Sequence, residues 1–309
     1  MSRAILLLNM GGPSNLDEVE LFLKNMFDDR YILQTNPILR KIVGKIIVKK
    51  RLNEAIENYK ALGGKSPLLE ITNSLAKKVS SLTNIPTYPV MRYVPPFAID
   101  ILKRFKEQNI KELILFSMYP HYSTTTTKSS IEDIKAALKE LNYNPTLKII
   151  DRYYNNKEYI EIQASLICEA LNSNNSQDIN LIISAHGLPM SIIKKGDPYQ
   201  KEIEENKELL VKELKSRGVE FKDTILAYQS KVGKGAWLEP NLIDILRNPT
   251  SLRVLIFPIS FTIDNSETIF ELDIEHREIA NKMGYKFYKV AKCPNDRDDF
   301  ARFIANMIN

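Results

Sequence analysis

Short apolar runs alternate with longer amphipathic segments along the whole sequence, and this alternation restricts the chain to few folds. The runs that predict strands lie at 4–9, 112–118, 147–152, 179–185, 224–229, 252–259 and 286–291. Segments with helical periodicity lie at 15–27, 70–82, 97–108, 129–141, 157–171, 201–217 and 266–283. Such alternation predicts parallel sheets joined by right-handed crossover helices. Several runs are apolar throughout, as in strands that helices cover on both faces. We predict a doubly wound α/β fold.

Several segments in the first half of the sequence resemble segments in the second half. Residues 6–11 resemble 182–187, each an apolar run that ends in a polar loop with glycine. Residues 99–102 recur as 243–246, and 130–134 resemble 271–274. Any two strand–helix units share some likeness, so one interpretation is coincidence. The other is a chain of two similar lobes, and in such sheets ligands bind beyond the carboxyl ends of the strands.

Composition excludes several classes of protein. The 309 residues include 43 Lys and Arg against 38 Asp and Glu, and a net charge of +5 is too small to indicate a nucleic-acid partner. Cys168 and Cys293 lie far apart, so a disulfide scaffold and a cysteine-held iron–sulfur cluster are not expected. No apolar run approaches the roughly 20 residues of a membrane span, and the N-terminal run is too short for a signal peptide. We expect a cytoplasmic protein.

His186 is the first candidate for chemistry. It follows an apolar run in the segment ISAHGLP at 183–189, where glycine and proline end the strand. An imidazole has an ordinary pKa of roughly 6.5 and can accept a proton near neutral pH. The alternative is a hydrogen-bonded histidine of the core. No HExxH, Walker A, GxGxxG or GxSxG motif is present to indicate another chemistry.

Three glutamates form the second candidate. On a helix, Glu267, Glu271 and Glu275 recur every four residues and share one face, and no Lys or Arg lies between residues 264 and 276. Like charges at this spacing repel by roughly 0.2–0.5 kcal/mol per pair on an exposed helix. The stripe is either a solvated acidic face or a track for a divalent cation, which prefers hard oxygen ligands.

The segment 38–51 is the third candidate. Its Ile, Leu and Val side chains share one helical face, and its Lys and Arg side chains lie mostly on the other. It is either an ordinary packed helix or a basic, apolar surface that meets a membrane or an apolar, anionic ligand. A base, an acidic track and such a surface together indicate a flat, apolar and anionic ligand. A porphyrin with propionate groups meets this description, but these residues alone do not single it out.

The sequence closely resembles the ferrochelatase family, whose members insert ferrous iron into a porphyrin at the end of haem synthesis. The resemblance runs nearly end to end. The matching blocks are LLLNMGGP (6–13), YKALGGKSP (59–67), MRYV (91–94), YPHYS (119–123), SAHGLPM (184–190), GDPY (196–199), QSKVG (229–233), Trp237-Leu238 and the acidic segment 264–275.

The resemblance implies a chelatase-like α/β fold of two Rossmann-like lobes, 1–155 and 156–309, with a porphyrin cleft between them. It implies that His186 and Glu267 are catalytic. It also implies that these two residues, together with Glu271 and Glu275, bind the metal, and that Glu271 and Glu275 form a metal path leading away from the site. It places Met10, Arg51, Tyr59, Ser66 and Trp237 in the porphyrin pocket. The expected substrates are ferrous iron and a porphyrin, with protoporphyrin IX favoured over coproporphyrin III. We expect no organic cofactor, no iron–sulfur cluster, a monomer or weak dimer, and peripheral membrane contact through 38–51.

Two alternatives remain open from the sequence. Asn265 stands where many relatives carry histidine, so a role of that histidine is absent or altered here. One alternative is a chelatase for another tetrapyrrole or for another metal, such as cobalt or nickel. Cobalt chelatases often use a pair of histidines at the metal, and with Asn265 in that place His186 has no partner histidine. The other alternative is a porphyrin or haem carrier without turnover, which gives no reason for the stripe of glutamates.

Overall fold

The chain forms two compact units in this computed structural model, which describes residues 2–231 and 235–308. The first unit is Met1–Arg152 together with Asp296–Asn309, and the second is Tyr153–Asn295. The last two residues of the QSKVG block, Val232 and Gly233, lie outside the described residues. Among the residues described, no helix is long and apolar enough to cross a membrane.

Within the described residues, each unit holds one four-stranded parallel sheet, as the α/β prediction requires. The strand orders are β2-β1-β3-β4 and β6-β5-β7-β8. The strands are β1 (Arg3–Asn9), β2 (Thr87–Met91), β3 (Glu112–Ser117), β4 (Thr146–Ile150), β5 (Asn180–His186), β6 (Asp223–Gln229), β7 (Arg253–Pro258) and β8 (Phe287–Val290).

Helices connect these strands. In the first unit they are α1 (Glu18–Asp28), α2 (Pro37–Ala61), α3 (Leu68–Thr83), α4 (Ala98–Glu107), a π-helix (Thr124–Lys128), α5 (Ser129–Glu140) and the terminal α11 (Asp298–Ile308). In the second they are α6 (Lys157–Leu171), a 3₁₀ helix (Ser176–Asp178), α7 (Met190–Ile193), α8 (Tyr199–Ser216), α9 (Leu242–Arg247), a second π-helix (Glu267–Glu275) and α10 (His276–Lys282).

The two sheets repeat one pattern, which confirms the internal repeat. In each, the first strand of the unit lies between the second and the third. Leu8 is the last residue of β1 that pairs with both neighbouring strands, and Ser184 is the last such residue of β5. Met10 lies two residues after Leu8, and His186 lies two residues after Ser184. Met10 is therefore the first unit's equivalent of His186.

The central strands are buried on both faces, which explains their continuous apolar runs. Residues 4–8 of β1 are each at most 1% exposed. Alternate residues of β1 and β3 pack against α4 and α5 in one core cluster. In the second unit, residues of β5, β6 and β7 pack against α9, α10 and Leu272 of the second π-helix. This π-helix is therefore anchored in the core through one of its faces.

The structure differs from the sequence predictions in three places. Strand β2 was not predicted, because Pro89 interrupts a short run; as β2 is an edge strand, it tolerates a proline. The predicted helix 266–283 is a π-helix followed by a short α-helix. The division between units follows residue 152 rather than 155, and α11 packs on α3 in the first unit rather than in a lobe 156–309.

We predict that Gly11→Ala lowers stability more than Gly63→Ala. Both glycines have a positive φ, +84° and +85°, at which alanine costs about 1–2 kcal/mol. A Cβ at Gly11 would also lie 2.6 Å from Val94 Cγ2, whereas one at Gly63 would meet nothing within 4 Å. The clash adds about 1–3 kcal/mol to the Gly11 variant. Urea unfolding midpoints measure the difference, and equal midpoints would contradict the close packing around Gly11.

Candidate functional site

His186 is the last residue of β5, at the carboxyl end of an interior strand. Its backbone is fixed on both sides. The backbone N–H donates to Ser260 Oγ at 3.0 Å, and the carbonyl accepts a hydrogen bond from Tyr199 Oη at 3.0 Å. The carboxyl ends of parallel strands are where α/β folds place ligands. The structure therefore has the His186 imidazole where the sequence predicts it, at the carboxyl end of a strand.

The imidazole of His186 is paired with Glu267. Nδ1 lies 2.7 Å from Glu267 Oε2, and the side chains retain 37% and 21% of their exposure. Nε2 makes no hydrogen bond to any residue that the structure describes. The carboxylate therefore orients the ring through one nitrogen and leaves the other nitrogen accessible to a ligand. This is how a neighbouring carboxylate prepares an imidazole for proton transfer.

Asn265 fixes the start of the π-helix that carries Glu267. Its Oδ1 accepts the backbone N–H of Glu267 at 2.8 Å, and its Nδ2 donates to the carbonyl of Ile263 at 3.1 Å. Its own N–H donates to Thr268 Oγ1 at 3.0 Å. The side chain of Asn265 is thus used to cap the helix, as short polar residues do. It has no imidazole that could pair with His186.

The π-helix changes the geometry of the glutamate stripe. Its i→i+5 hydrogen bonds put more residues into a turn than the 3.6 of an α-helix, so residues four apart lie more nearly in line. Glu271 comes next to Glu267, and both carboxylates contact Ser230. Glu275 is exposed at the end of the π-helix. The structure thus joins two of the three glutamates to His186 through short contacts.

Ser230 was missed as a site residue, although the resemblance block 229–233 included it. Its N–H donates to Glu271 Oε1 at 2.8 Å, and its Oγ donates to Glu267 Oε2 at 2.8 Å. The same hydroxyl contacts Glu271 Oε2. Gln229 was missed as well; it is 1% exposed, and its Oε1 accepts a hydrogen bond from Ser184 Oγ. Neither residue type indicates chemistry by itself, so sequence reasoning had no signal beyond the block.

The electrostatics of the cluster give its two carboxyl groups different pKa values. Burial alone would lower the pKa of His186, but the charge and hydrogen bond of Glu267 and the charge of Glu271 raise it above its ordinary value. Burial alone would raise the pKa of Glu267, but the pairing with His186, the hydrogen bond from Ser230 and the nearby amide of Gln229 lower it. Burial and the Glu267 charge raise the pKa of Glu271 to about 7. Glu267 is therefore a carboxylate, while Glu271 exchanges a proton near neutral pH.

Three of the predicted porphyrin residues cluster in the first unit. A Cβ placed on Gly12 would lie 2.6 Å from Ser66 Oγ and 3.9 Å from Tyr59 Oη, so both side chains close around this glycine. The backbone N–H of Ser66 donates to the carbonyl of Pro13 at 2.7 Å. Met10 directly follows β1 in the same segment. Arg51 is half-buried on α2, the helix that also carries Tyr59.

Trp237 lies beside the turn that follows His186 in the second unit. It forms an isolated antiparallel bridge with Pro189, and its Cε3 would lie 3.5 Å from a Cβ on Gly187. The second unit therefore brings His186, Glu267, Glu271 and Trp237 to one edge of its sheet. In the described ranges 2–231 and 235–308, no group of three or more His, Cys, Asp and Glu side chains could hold a metal ion. Metal binding by the glutamates stays a prediction.

We predict that Glu267→Gln lowers the pKa of His186. The substitution removes the charge that raises this pKa and leaves the burial that lowers it. With three histidines in the sequence, an NMR titration of the imidazoles resolves each one. His276 is the internal control, because burial and the charge of Arg247 lower its pKa to about 4, and the substitution does not touch it. An unchanged His186 titration would refute the pairing.

Comparisons with known proteins identify the family of this chain. The model of the ferrochelatase family matches residues 2–309. A ferrochelatase of Campylobacter concisus is 47% identical over 307 residues, covering 98% of this chain and 96% of its own. One of Wolinella succinogenes is 46% identical over 312 residues, covering 100% and 98%. One of Helicobacter pylori strain G27 is 45% identical over 309 residues, covering 99% and 92%.

Solved structures support the fold. SirB from Bacillus subtilis with Fe³⁺ matches 100% of this chain and 94% of its own with a TM-score of 0.60 at 8% identity. The multi-domain protein DR2241 from Deinococcus radiodurans, described as similar to chelatases, matches 99% of this chain and 54% of its own at a TM-score of 0.51. At such low identity these two likenesses concern the fold alone. The match of the family model over residues 2–309 and the relatives at 45–47% identity show that this chain belongs to the ferrochelatase family.

Proposed function

We propose that this protein inserts ferrous iron into a porphyrin, the last step of haem synthesis. The observation that carries the proposal is the His186–Glu267 pair at the carboxyl end of β5, in a chain that matches the ferrochelatase family over its described length. The porphyrin that we favour is protoporphyrin IX. Iron enters as a substrate, and we propose no resident cofactor; the sequence has two cysteines, fewer than the four thiolates that an iron–sulfur cluster takes.

The reaction sets a requirement on the site. A free-base porphyrin carries two pyrrole protons, and both leave as a divalent ion takes their place on the four ring nitrogens. The ring is stiff and its inner N–H groups block the ion. An enzyme therefore has to accept protons beside the ring and favour a distorted ring over a flat one. A base with an accessible nitrogen and a neighbouring carboxylate meets the first of these needs.

His186 is our candidate for the proton acceptor. Glu267 holds Nδ1, so the accessible Nε2 is the atom that takes a pyrrole proton. The resulting imidazolium is stabilised by the same carboxylate 2.7 Å away. Glu271 exchanges a proton near neutral pH and is the natural acceptor for a second one. Ser230 links Glu271 to the pair of His186 and Glu267.

We propose that Glu267, Glu271 and Glu275 also guide iron to the ring. Carboxylate oxygens bind a ferrous ion without enclosing it, and an ion in transit must be released. The paired-histidine arrangement of a cobalt chelatase does not suit this chain, because the Asn265 side chain hydrogen-bonds the backbone of Glu267 and Ile263. For the porphyrin we propose contacts with Met10, Arg51, Tyr59, Ser66 and Trp237, where Arg51 supplies a cation for a propionate.

We predict that His186→Ala binds porphyrin but metallates it about 10²–10⁴-fold more slowly, the usual effect of losing a general base. The assay mixes Fe(II) and protoporphyrin IX without oxygen and follows haem absorbance. Zinc insertion, followed by porphyrin fluorescence, serves as the oxygen-tolerant version. Glu267→Gln should be similarly slow, whereas the exposed Glu278→Gln, just beyond the stripe, should keep wild-type activity.

Three outcomes of this assay would contradict the proposal. A wild-type protein that shifts the porphyrin spectrum without turning over is a carrier. A His186→Ala variant with undiminished insertion would remove His186 from the mechanism. Faster turnover of coproporphyrin III than of protoporphyrin IX would reverse our choice of substrate.

We further propose that the protein works in the cytoplasm and touches an anionic membrane surface through residues 38–51. Ile38, Leu39, Ile42 and Ile46 of α2 are 76%, 45%, 53% and 50% exposed. Exposed lysines, at 41, 45, 49 and 50, flank them. An apolar face with a basic border is typical of helices that lie on anionic lipid. Both cysteines are free, in keeping with a reducing compartment.

We predict that the double variant Ile42→Ser/Ile46→Ser floats less with vesicles that contain phosphatidylglycerol than the wild type does. The apolar face supplies buried area and the lysines supply attraction, so high salt should weaken binding as well. Leu82→Ser is the control, because Leu82 on α3 is also 49% exposed, and Lys78, one turn before it, is paired with Asp298. If the wild-type protein does not bind anionic vesicles at low salt, the membrane surface is ruled out as a partner.

A further inference from the structure

We infer that Ser230 is a positioning residue for metal insertion, which holds Glu267 and Glu271 together beside His186. The inference rests on the proposed function, because it concerns the same site. Ser230 directly follows β6, the strand that pairs with β5 through Gln229 and His186. The end of one strand thus delivers the serine next to the imidazole that ends the neighbouring strand.

The contacts of Ser230 connect both carboxylates. Its N–H donates to one oxygen of Glu271, and its hydroxyl contacts the other oxygen, so this carboxylate is held at both ends. The hydroxyl also donates to Glu267 Oε2, the oxygen that lies 2.7 Å from His186 Nδ1. A single hydroxyl therefore links Glu271 to the His186–Glu267 pair.

The backbone of Ser230 indicates that this link is maintained at a cost. Its φ is +63°, in the left-handed region that glycine adopts easily and serine rarely does. Strained conformations of this kind persist where the surrounding structure over-determines them, often at functional sites. A glycine would relieve the strain and keep the N–H, but it would lack the hydroxyl. We attribute the serine to that hydroxyl.

Loss of the Ser230 hydroxyl would disturb both carboxylates that it contacts. Glu267 and Glu271 lie close together on one π-helix, and like charges repel. Without the shared hydroxyl, Glu271 has only the N–H at one oxygen, and Glu267 loses one of the partners of Oε2. Both carboxylates then become free to turn away from His186. The effect falls on the transfer of protons and iron, while porphyrin binding is not involved.

The test compares Ser230→Gly with the wild type. This variant removes the hydroxyl, retains the N–H and suits the positive φ, so the thermal midpoint should not fall. We expect kcat to fall about 10–100-fold, the usual effect of losing a residue that orients a metal ligand or base. The porphyrin dissociation constant, from fluorescence, should stay unchanged. Asn172→Gly, at another positive φ in the same unit, is the matched control and should keep full activity.

A double-mutant cycle separates positioning from a general structural effect. If Ser230 acts through Glu271, then Ser230→Gly should slow a Glu271→Gln enzyme much less than it slows the wild type. Full effects in both backgrounds would overturn the inference, as would unchanged kcat in Ser230→Gly or weakened porphyrin binding. A wild-type protein that inserts no metal would instead refute the proposed function, and this inference with it.

Discussion

The imidazole of His186 and the carboxylate of Glu267 form a hydrogen-bonded pair at 2.7 Å, and much of the second unit serves to keep them there. The imidazole is held by the backbone hydrogen bonds of β5 and by Ser260 and Tyr199. The carboxylate is held by the capped start of a π-helix whose Leu272 is fully buried. Because both backbones are fixed by the fold, little entropy is lost when the pair forms. This preorganisation makes a partly exposed hydrogen-bonded pair more favourable than one between mobile side chains.

The π-helix imposes the second constraint. In an α-helix, residues four apart are offset by about 40° around the axis; the wider turn of the π-helix brings Glu267 and Glu271 more nearly into line, and both carboxylates contact Ser230. Two carboxylates at one donor cannot both carry full charge without cost. The pKa values of the two carboxyl groups differ accordingly: the imidazole keeps Glu267 ionised, whereas Glu271, with a pKa raised to about 7, exchanges a proton near neutral pH. Two identical side chains on one helix thus have different pKa values.

Much of this could be predicted from the sequence. The continuous apolar runs of β1, β3, β5 and β7 revealed buried parallel strands, and the echo of 6–11 in 182–187 revealed the repeat. Strand β2 could not be predicted, since Pro89 contradicts a strand unless the edge position is known. The π-helix could not be predicted either, because a spacing of four residues suits an α-helix equally well. Ser230 gave no signal, as its importance lies in a backbone angle and in two partners distant in sequence.

The repeat explains why fold alone does not make a site. The first unit also has a π-helix after its third strand, and Met10 takes the place of His186. Ser130 lies as many residues after the last residue of β3 that pairs with β1 as Glu271 lies after the last residue of β7 that pairs with β5. Ser130 is therefore the first unit's equivalent of Glu271. Arg92 follows β2 there, and its guanidinium is occupied by ion pairs with Asp29 and Asp133. At the positions equivalent to His186 and Glu271, the same scaffold thus carries neither an imidazole nor a carboxylate. Chemistry follows the side chains placed on the strand ends, and the π-helix only sets where those side chains meet.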